Sequence, residues 1–328
     1  MGYNKENFKR IRAEYETKTF VAQAAAEARR EELYNTIPTL REMDQRLSSF
    51  GLRIMERALS NRDTQTQIEQ LRAENERIRE ARAALLNKFG YPADYTEPKY
   101  ECAACADTGY VGIRMCGCMR NRLIEAGMQS SGLSGLMSKQ SFDNFSLEFY
   151  RTNEETYNRM ANGLRKVKEY AENFTTERGK MDPVNLFFYG GTGLGKTHLS
   201  TSVARKVIER GYDVFYNSAV GMISDFEQRR FGNAVAQGDG DRTDRYIECD
   251  LLIIDDLGTE TVNQFTVSCL YHVINTRLNL QKPMLINTNL SGQELRKIYS
   301  DRITSRLTGE FFMIPFFGVD VRSQKIKL

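Results

Sequence analysis

The sequence predicts an α/β protein in which residues 151–328 form a parallel sheet covered on both faces by helices. Three observations lead there. A Gly190-Gly-Thr-Gly-Leu-Gly-Lys196-Thr197 run sits between a short apolar strand and a helix-forming stretch. From Val184 onward, strand-like apolar runs alternate with helical ones, the pattern of parallel strands joined by helical crossovers. A second apolar run, Leu251-Leu-Ile-Ile-Asp255-Asp256, ends in two carboxylates.

The totals set the frame. The 328 residues are enough for two domains that each bury a core, and 27% charged with 41% hydrophobic residues is ordinary for a soluble globular chain. Basic residues number 46 against 43 acidic, so any nucleic-acid contact must come from a local patch. The chain opens MGYNKENFKR without an apolar signal region, and its longest apolar run, Phe311 to Phe317, is interrupted by Pro315. A cytoplasmic protein with no membrane contact is expected. Its six cysteines would be reduced there, so their clustering points to metal.

Residues 1–98 read as helices. The seam Ile68, Leu71, Asn75, Ile78, Arg82, Leu85, Phe89 has a 3-4-3-4 spacing. It fits a short coiled coil, a helical hairpin, or an amphipathic helix packing on its own neighbours. Gly90, Pro92 and Pro98 end it. A cysteine module follows over 99–128, then a Ser- and Gly-rich linker over 129–150 that includes QSSGLSGLMSK. Glu154 to Phe174 reads as a helix leading into the sheet domain.

Within the glycine run, Gly190, Gly191, Thr192, Gly193, Leu194 and Gly195 match a phosphate loop, continuing into Lys196, Thr197 and His198. Glycines let successive N–H groups converge on phosphate oxygens, and the helix that starts here adds its positive dipole end. Lys196 would neutralise the β- and γ-phosphates of ATP, and Thr197 would ligate Mg²⁺. The Leu251–Asp256 strand would deliver Asp255 to the Mg²⁺ and Asp256 to the attacking water.

Cys102-x₂-Cys105-x₁₀-Cys116-x-Cys118 places four cysteines within seventeen residues. Four thiolates close a tetrahedral zinc site, and so short a module needs such a staple; an iron–sulfur cluster is the lesser alternative. Cys249 and Cys269 read as buried small hydrophobes. Phe226-Glu-Gln-Arg229-Arg230-Phe231 could grip single-stranded DNA by phosphate contact and stacking, although a solvated basic helix face is the commoner meaning. The polar stretch Gly232 to Asp244 looks mobile.

The run Leu251 to Glu260, then Asn287-Thr-Asn289, then Asp301-Arg-Ile-Thr-Ser-Arg306-Leu, resembles the AAA+ core of the DnaC/DnaI-like helicase loaders and of the related IstB-type ATPases. Cys102–Cys118 with Asp107-Thr-Gly-Tyr110 resembles the loaders in particular. The resemblance implies a strand from Met284 to Asn287 between the phosphate-loop strand and the acidic strand. It implies a γ-phosphate sensor at Asn289, with Asn287 as the second choice, and an arginine finger at Arg306 acting on a neighbouring subunit. Arg322 stands where a cis sensor arginine is found, and Phe142 to Phe145 lie where residues flank the adenine. The function implied is ATP-dependent loading of a hexameric replicative helicase onto single-stranded DNA, with hydrolysis following self-assembly. An IstB-like transposition helper, or an adaptor that binds ATP without turning it over, are the alternatives.

Overall fold

The computed structural model describes residues 3–59, 64–231 and 242–325. It divides into two compact units, one of residues 12–119 and one of residues 1–11 with 120–328.

The first unit is helical. Helices α1 (Lys5–Thr36), α2 (Pro38–Ser48), α3 (Phe50–Leu59) and α4 (Thr64–Lys88) precede a two-stranded antiparallel ribbon, β1 (Tyr110–Val111) and β2 (Arg114–Met115). Pro38 opens α2, where its missing N–H costs nothing. The core gathers Leu33, Ile37, Leu40 and Leu86. The α4 seam faces α2 and α3 of the same chain, which is the hairpin among the expected alternatives. Its two polar positions differ in kind. Arg82 donates to Asp44 of α2 at 2.6 Å and 3.2 Å and to Thr96 at 2.7 Å, whereas Asn75 is buried with Oδ1 unpaired among the described residues. Near the end of the seam Leu86 is wholly buried, while Phe89, in the turn past the end of α4, is 48% exposed.

The second unit holds helices α5 (Gly117–Ser130), α6 (Ser134–Met137) and α7 (Glu154–Glu172), then strand β3 (Leu186–Tyr189) and helix α8 (Lys196–Glu209). There follow β4 (Val214–Ser218), α9 (Ala219–Phe231), α10 (Arg242–Glu248), β5 (Leu251–Leu257), α11 (Gln264–Asn279) and β6 (Met284–Thr288). The chain closes with α12 (Gly292–Ile298), α13 (Asp301–Glu310), β7 (Phe312–Pro315) and α14 (Val321–Lys325). The sheet order is β4-β5-β6-β3-β7, all parallel, so β6 lies between the phosphate-loop strand and the acidic strand. Strand side chains alternate between two cores. Leu186, Phe188, Leu251 and Ile253 join one with α7 and α8. Phe187, Leu252 and Ile254 join the other with α9, α11 and α13.

The segment expected to be a linker is part of this packing. Leu133, Met137, Phe145 and Tyr150 are buried in the α7–α8 core, and the Ser131 carbonyl accepts from Tyr216 N at 2.9 Å. Its Ser and Gly content hid apolar residues at Leu133, Leu136 and Met137, which share one helical face. Gly132 turns the chain at φ 85° so near the Tyr216 carbonyl that an added Cβ would lie 2.7 Å from it. Of the stretch expected to be mobile, residues 232–241 lie outside the described residues, and Arg242 to Asp244 open α10.

Arg277 of α11 is fully buried, and its guanidinium donates to the carbonyls of Tyr246, Ile247, Cys249, Asp250 and Pro283 at 2.7–3.2 Å. It thereby ties the chain entering β5 to the chain entering β6. Arg277→Ala strands these carbonyls away from water and should cost about 3–5 kcal/mol, read as a lower urea midpoint with an unchanged slope.

Candidate functional site

After β3 the chain reverses through Gly190, at φ 140°, so close to the Phe316 carbonyl that an added Cβ would lie 2.4 Å from it. Gly193 and Gly195 take φ of 75° and 83°, where a side chain would strain the backbone. The loop rests on a shelf of aromatics. Tyr150 donates its hydroxyl to the Leu194 carbonyl at 2.8 Å, and Phe145 stacks on Tyr150 with centroids 5.7 Å apart. Phe145 thus supports the loop as packing. The His198 ring turns to Ser141 O and Asn144 Oδ1, each at 2.9 Å, so its side chain belongs to that support.

Lys196 begins α8 and reaches back across the loop. Its Nζ donates to Gly190 O at 2.8 Å, Gly191 O at 2.7 Å and Asn289 Oδ1 at 2.6 Å. Burial pulls its pKa down to about 8, against the opposing pull of the Asp256 and Asp255 charges. A glycine loop, a helix N-terminus and a buried lysine ammonium are the parts a polyphosphate site requires, so the site fits ATP.

The acidic strand runs one residue beyond the two carboxylates, and its pairing with β6 shifts register between Ile254 and Leu257. Asp256 there has φ 52°, which interrupts the strand's alternation. Both acids consequently act on Lys196. Asp255 is 2% exposed and accepts from Thr197 Oγ1 at 2.9 Å. Asp256 is half-buried, and burial followed by the Asp255 charge pushes its pKa up. Asn289, just past β6, joins Lys196 to Asp256, donating to Asp256 Oδ1 at 3.4 Å. Asn287 instead faces Asp255, its Nδ2 lying 2.7 Å from Oδ1. The charge of Arg322 is felt by both Lys196 and Asp256.

Two neighbours carried no motif. Tyr216 of β4 donates to Asp255 Oδ2 at 2.7 Å, placed there by the pairing of Ser218 with Asp255. Asp320 sits against Gly193, where an added Cβ would overlap its carboxylate, and Val321 N donates to Gly193 O at 3.0 Å. No spacing rule reports either, since both arrive from distant segments. Arg306 of α13 packs against α11 of its own chain. It donates to Asn275 Oδ1 at 3.0 Å and 2.8 Å and to Tyr271 OH at 3.0 Å, with the guanidinium 4.7 Å from the Tyr271 ring.

Residues 144–308, half of the chain, match the family of IstB-like ATP binding proteins. The chain belongs to that family. It is an AAA+ ATPase by this membership and by its sheet order. Replicative helicase loader DnaC of Escherichia coli (strain K12) is 25% identical over 179 residues, which are 54% of this chain and 66% of that protein. Chromosomal replication initiator protein DnaA of Aquifex aeolicus (strain VF5) is 32% identical over 124 residues, 38% of this chain and 30% of that protein. The chain thus spans less than two thirds of each of these relatives. Among solved structures, the DnaC helicase loader aligns at 18% identity with a TM-score of 0.46, over 55% of this chain and 98% of that one.

The cysteine quartet lies ahead of the IstB-like core. Cys102 and Cys116 sulfurs are 3.9 Å apart, those of Cys105 and Cys118 3.5 Å, and all four lie within 4.8 Å of one another. Tetrahedral thiolates at a metal–sulfur distance of about 2.3 Å stand ~3.8 Å apart, so the quartet fits one metal ion. Asp107 shapes it by accepting from the amides of Glu101 and Cys102, both at 2.8 Å. Thr19 of α1 donates to the Asp107 carbonyl at 2.9 Å.

The basic stretch on α9 of the IstB-like core is engaged within the chain. Arg229 pairs with Thr243 and Asp244, Arg230 lies over Phe265, and Phe226 packs against Tyr246. Phe226 is therefore a packing residue; the Phe231 side chain lies outside the described residues. No described helix is long and apolar enough to cross a membrane.

The Lys196 pKa sets a pH test. Phosphate binding needs the ammonium, so nucleotide affinity should hold level below about pH 8 and fall up to about tenfold per unit above it. Titrating a fluorescent ATP analogue between pH 6.5 and 9.5 would show this step, and Lys196→Ala should abolish it.

Proposed function

We propose that this chain is an ATP-hydrolysing helicase loader, which binds a hexameric replicative helicase and helps deposit it on single-stranded DNA. The observation that carries this reading is a cysteine-bearing helical unit joined to an IstB-like core. The 25% identity with a protein named as a replicative helicase loader supports it. Lys196 and the loop amides would hold the phosphates, while Thr197 and Asp255 would hold Mg²⁺, which would supply charge neutralisation. Asp256, beside Asn289, orients the attacking water. Asn289 links the lysine to that acid and senses the γ-phosphate. Arg322 acts in cis. Arg306 acts in trans on a neighbouring copy, an effect worth about 10³–10⁵ in rate for such fingers.

Residues 99–128 form a zinc module in this reading, and residues 1–98 dock the helicase. Protein purified under reducing conditions should carry about one zinc per chain by elemental analysis. Cys105→Ser should lose most of it and open residues 12–119 to limited proteolysis. Metal-free wild-type protein that resists proteolysis equally well would refute the zinc role.

A second reading, an IstB-like helper of a transposase, is favoured by the family match itself. Partner identity separates the two. Mixed with the replicative helicase of its host and ATP, the chain should form a complex of defined mass that requires residues 1–125. Lys196→Ala should remove the ATP dependence of that complex. No complex with or without ATP would refute the loader reading and make a transposase the next partner to test.

A further inference from the structure

The carboxylate of Asp255 accepts four hydrogen bonds. Oδ2 takes the Thr197 hydroxyl at 2.9 Å and the Tyr216 phenol at 2.7 Å, while Oδ1 takes Asn287 Nδ2 at 2.7 Å and the Asp256 amide at 3.0 Å. An ionised carboxylate offers about four acceptor positions, so these donors fill them. Their roles differ. Thr197 is the second residue of α8, beside the phosphate loop, and is the hydroxyl that phosphate-loop chemistry directs to a cation. Its bond to Asp255 is the exchangeable one.

Tyr216 and Asn287 have no such second duty. They stand on β4 and β6, the two strands that flank β5. Against an acceptor-only carboxylate the Tyr216 hydroxyl serves as donor. Asn287 is wholly buried, and its Nδ2 is shared with Ser200 Oγ at 3.0 Å. Its Oδ1 has no partner among the described residues. Turning the amide over would set that oxygen against the carboxylate, so the amide direction is dictated by Asp255.

We infer that Tyr216 and Asn287 are positioning residues that clamp Asp255 from both neighbouring strands, so that the acceptor position Thr197 releases is already oriented for a divalent cation. The inference rests on the nucleotide reading above. Clamping moves the ordering of the carboxylate from the binding event to folding, which favours cation binding without touching the nucleotide.

The test is a Mg²⁺ titration of N-methylanthraniloyl-ATP binding to the full chain, comparing wild type with Tyr216→Phe and Asn287→Ser. Binding in EDTA is measured alongside, with thermal unfolding as a check on folding. Tyr216→Phe keeps the ring and removes only the hydroxyl. It should leave affinity in EDTA within about twofold of wild type and raise the Mg²⁺ midpoint about tenfold. Asn287→Ser should act in the same direction, and if it fails to fold, Tyr216→Phe alone decides. Wild-type binding with an unshifted midpoint, or equal losses in EDTA and Mg²⁺, overturns the clamp and leaves the nucleotide reading standing. A wild-type chain that binds no nucleotide overturns both.

Discussion

Asp255 carries a charge almost out of reach of water, and that is tolerable only because donors from four places meet it. The helix after the phosphate loop supplies one, the two flanking strands one each, and its own backbone the fourth. Shift any of those elements and the carboxylate would face an empty position in a low-dielectric interior. The sheet register, the start of α8 and the site are therefore one constraint rather than three. Parallel order β4-β5-β6 is what brings a tyrosine and an asparagine to opposite sides of one acid.

The break in strand regularity is the second half of that arrangement. An unbroken strand would send Asp255 and Asp256 to opposite faces. The register shift and the positive φ at Asp256 turn the second acid toward Lys196 and Asn289 instead. The lysine spans from the loop carbonyls to Asn289, so loop, acids and Asn289 form one hydrogen-bonded chain. Beneath it, Tyr150 and Phe145 hold the loop from a segment whose composition reads as a spacer.

Much of this was legible in the sequence. The glycine run, the paired acids and the cysteine quartet are local patterns, and their chemistry follows from short-range geometry, whereas Asn289 was singled out only by the family resemblance. Strand alternation was readable for the same reason. The helical seam was half legible: its period announced a buried stripe, but only packing could say whether the stripe met another copy or α2 and α3. Arg82 looked like an interruption because its partner Asp44 lies 38 residues away. The supposed linker was misread because Ser and Gly content reports backbone freedom, whereas burial of Leu133 and Met137 depends on surfaces the segment does not contain.

By itself the sequence determined which residue types could perform phosphate and metal chemistry, because those requirements are met within a few residues of contiguous chain. Tertiary structure alone decided that Tyr216 and Asn287 meet Asp255, that Asp320 lies against the phosphate loop, and that Arg277 joins the entries to β5 and β6. Each of those contacts spans segments far apart in the chain. A long-range contact leaves no spacing in the sequence; it exists only once the sheet order has set which strands are neighbours.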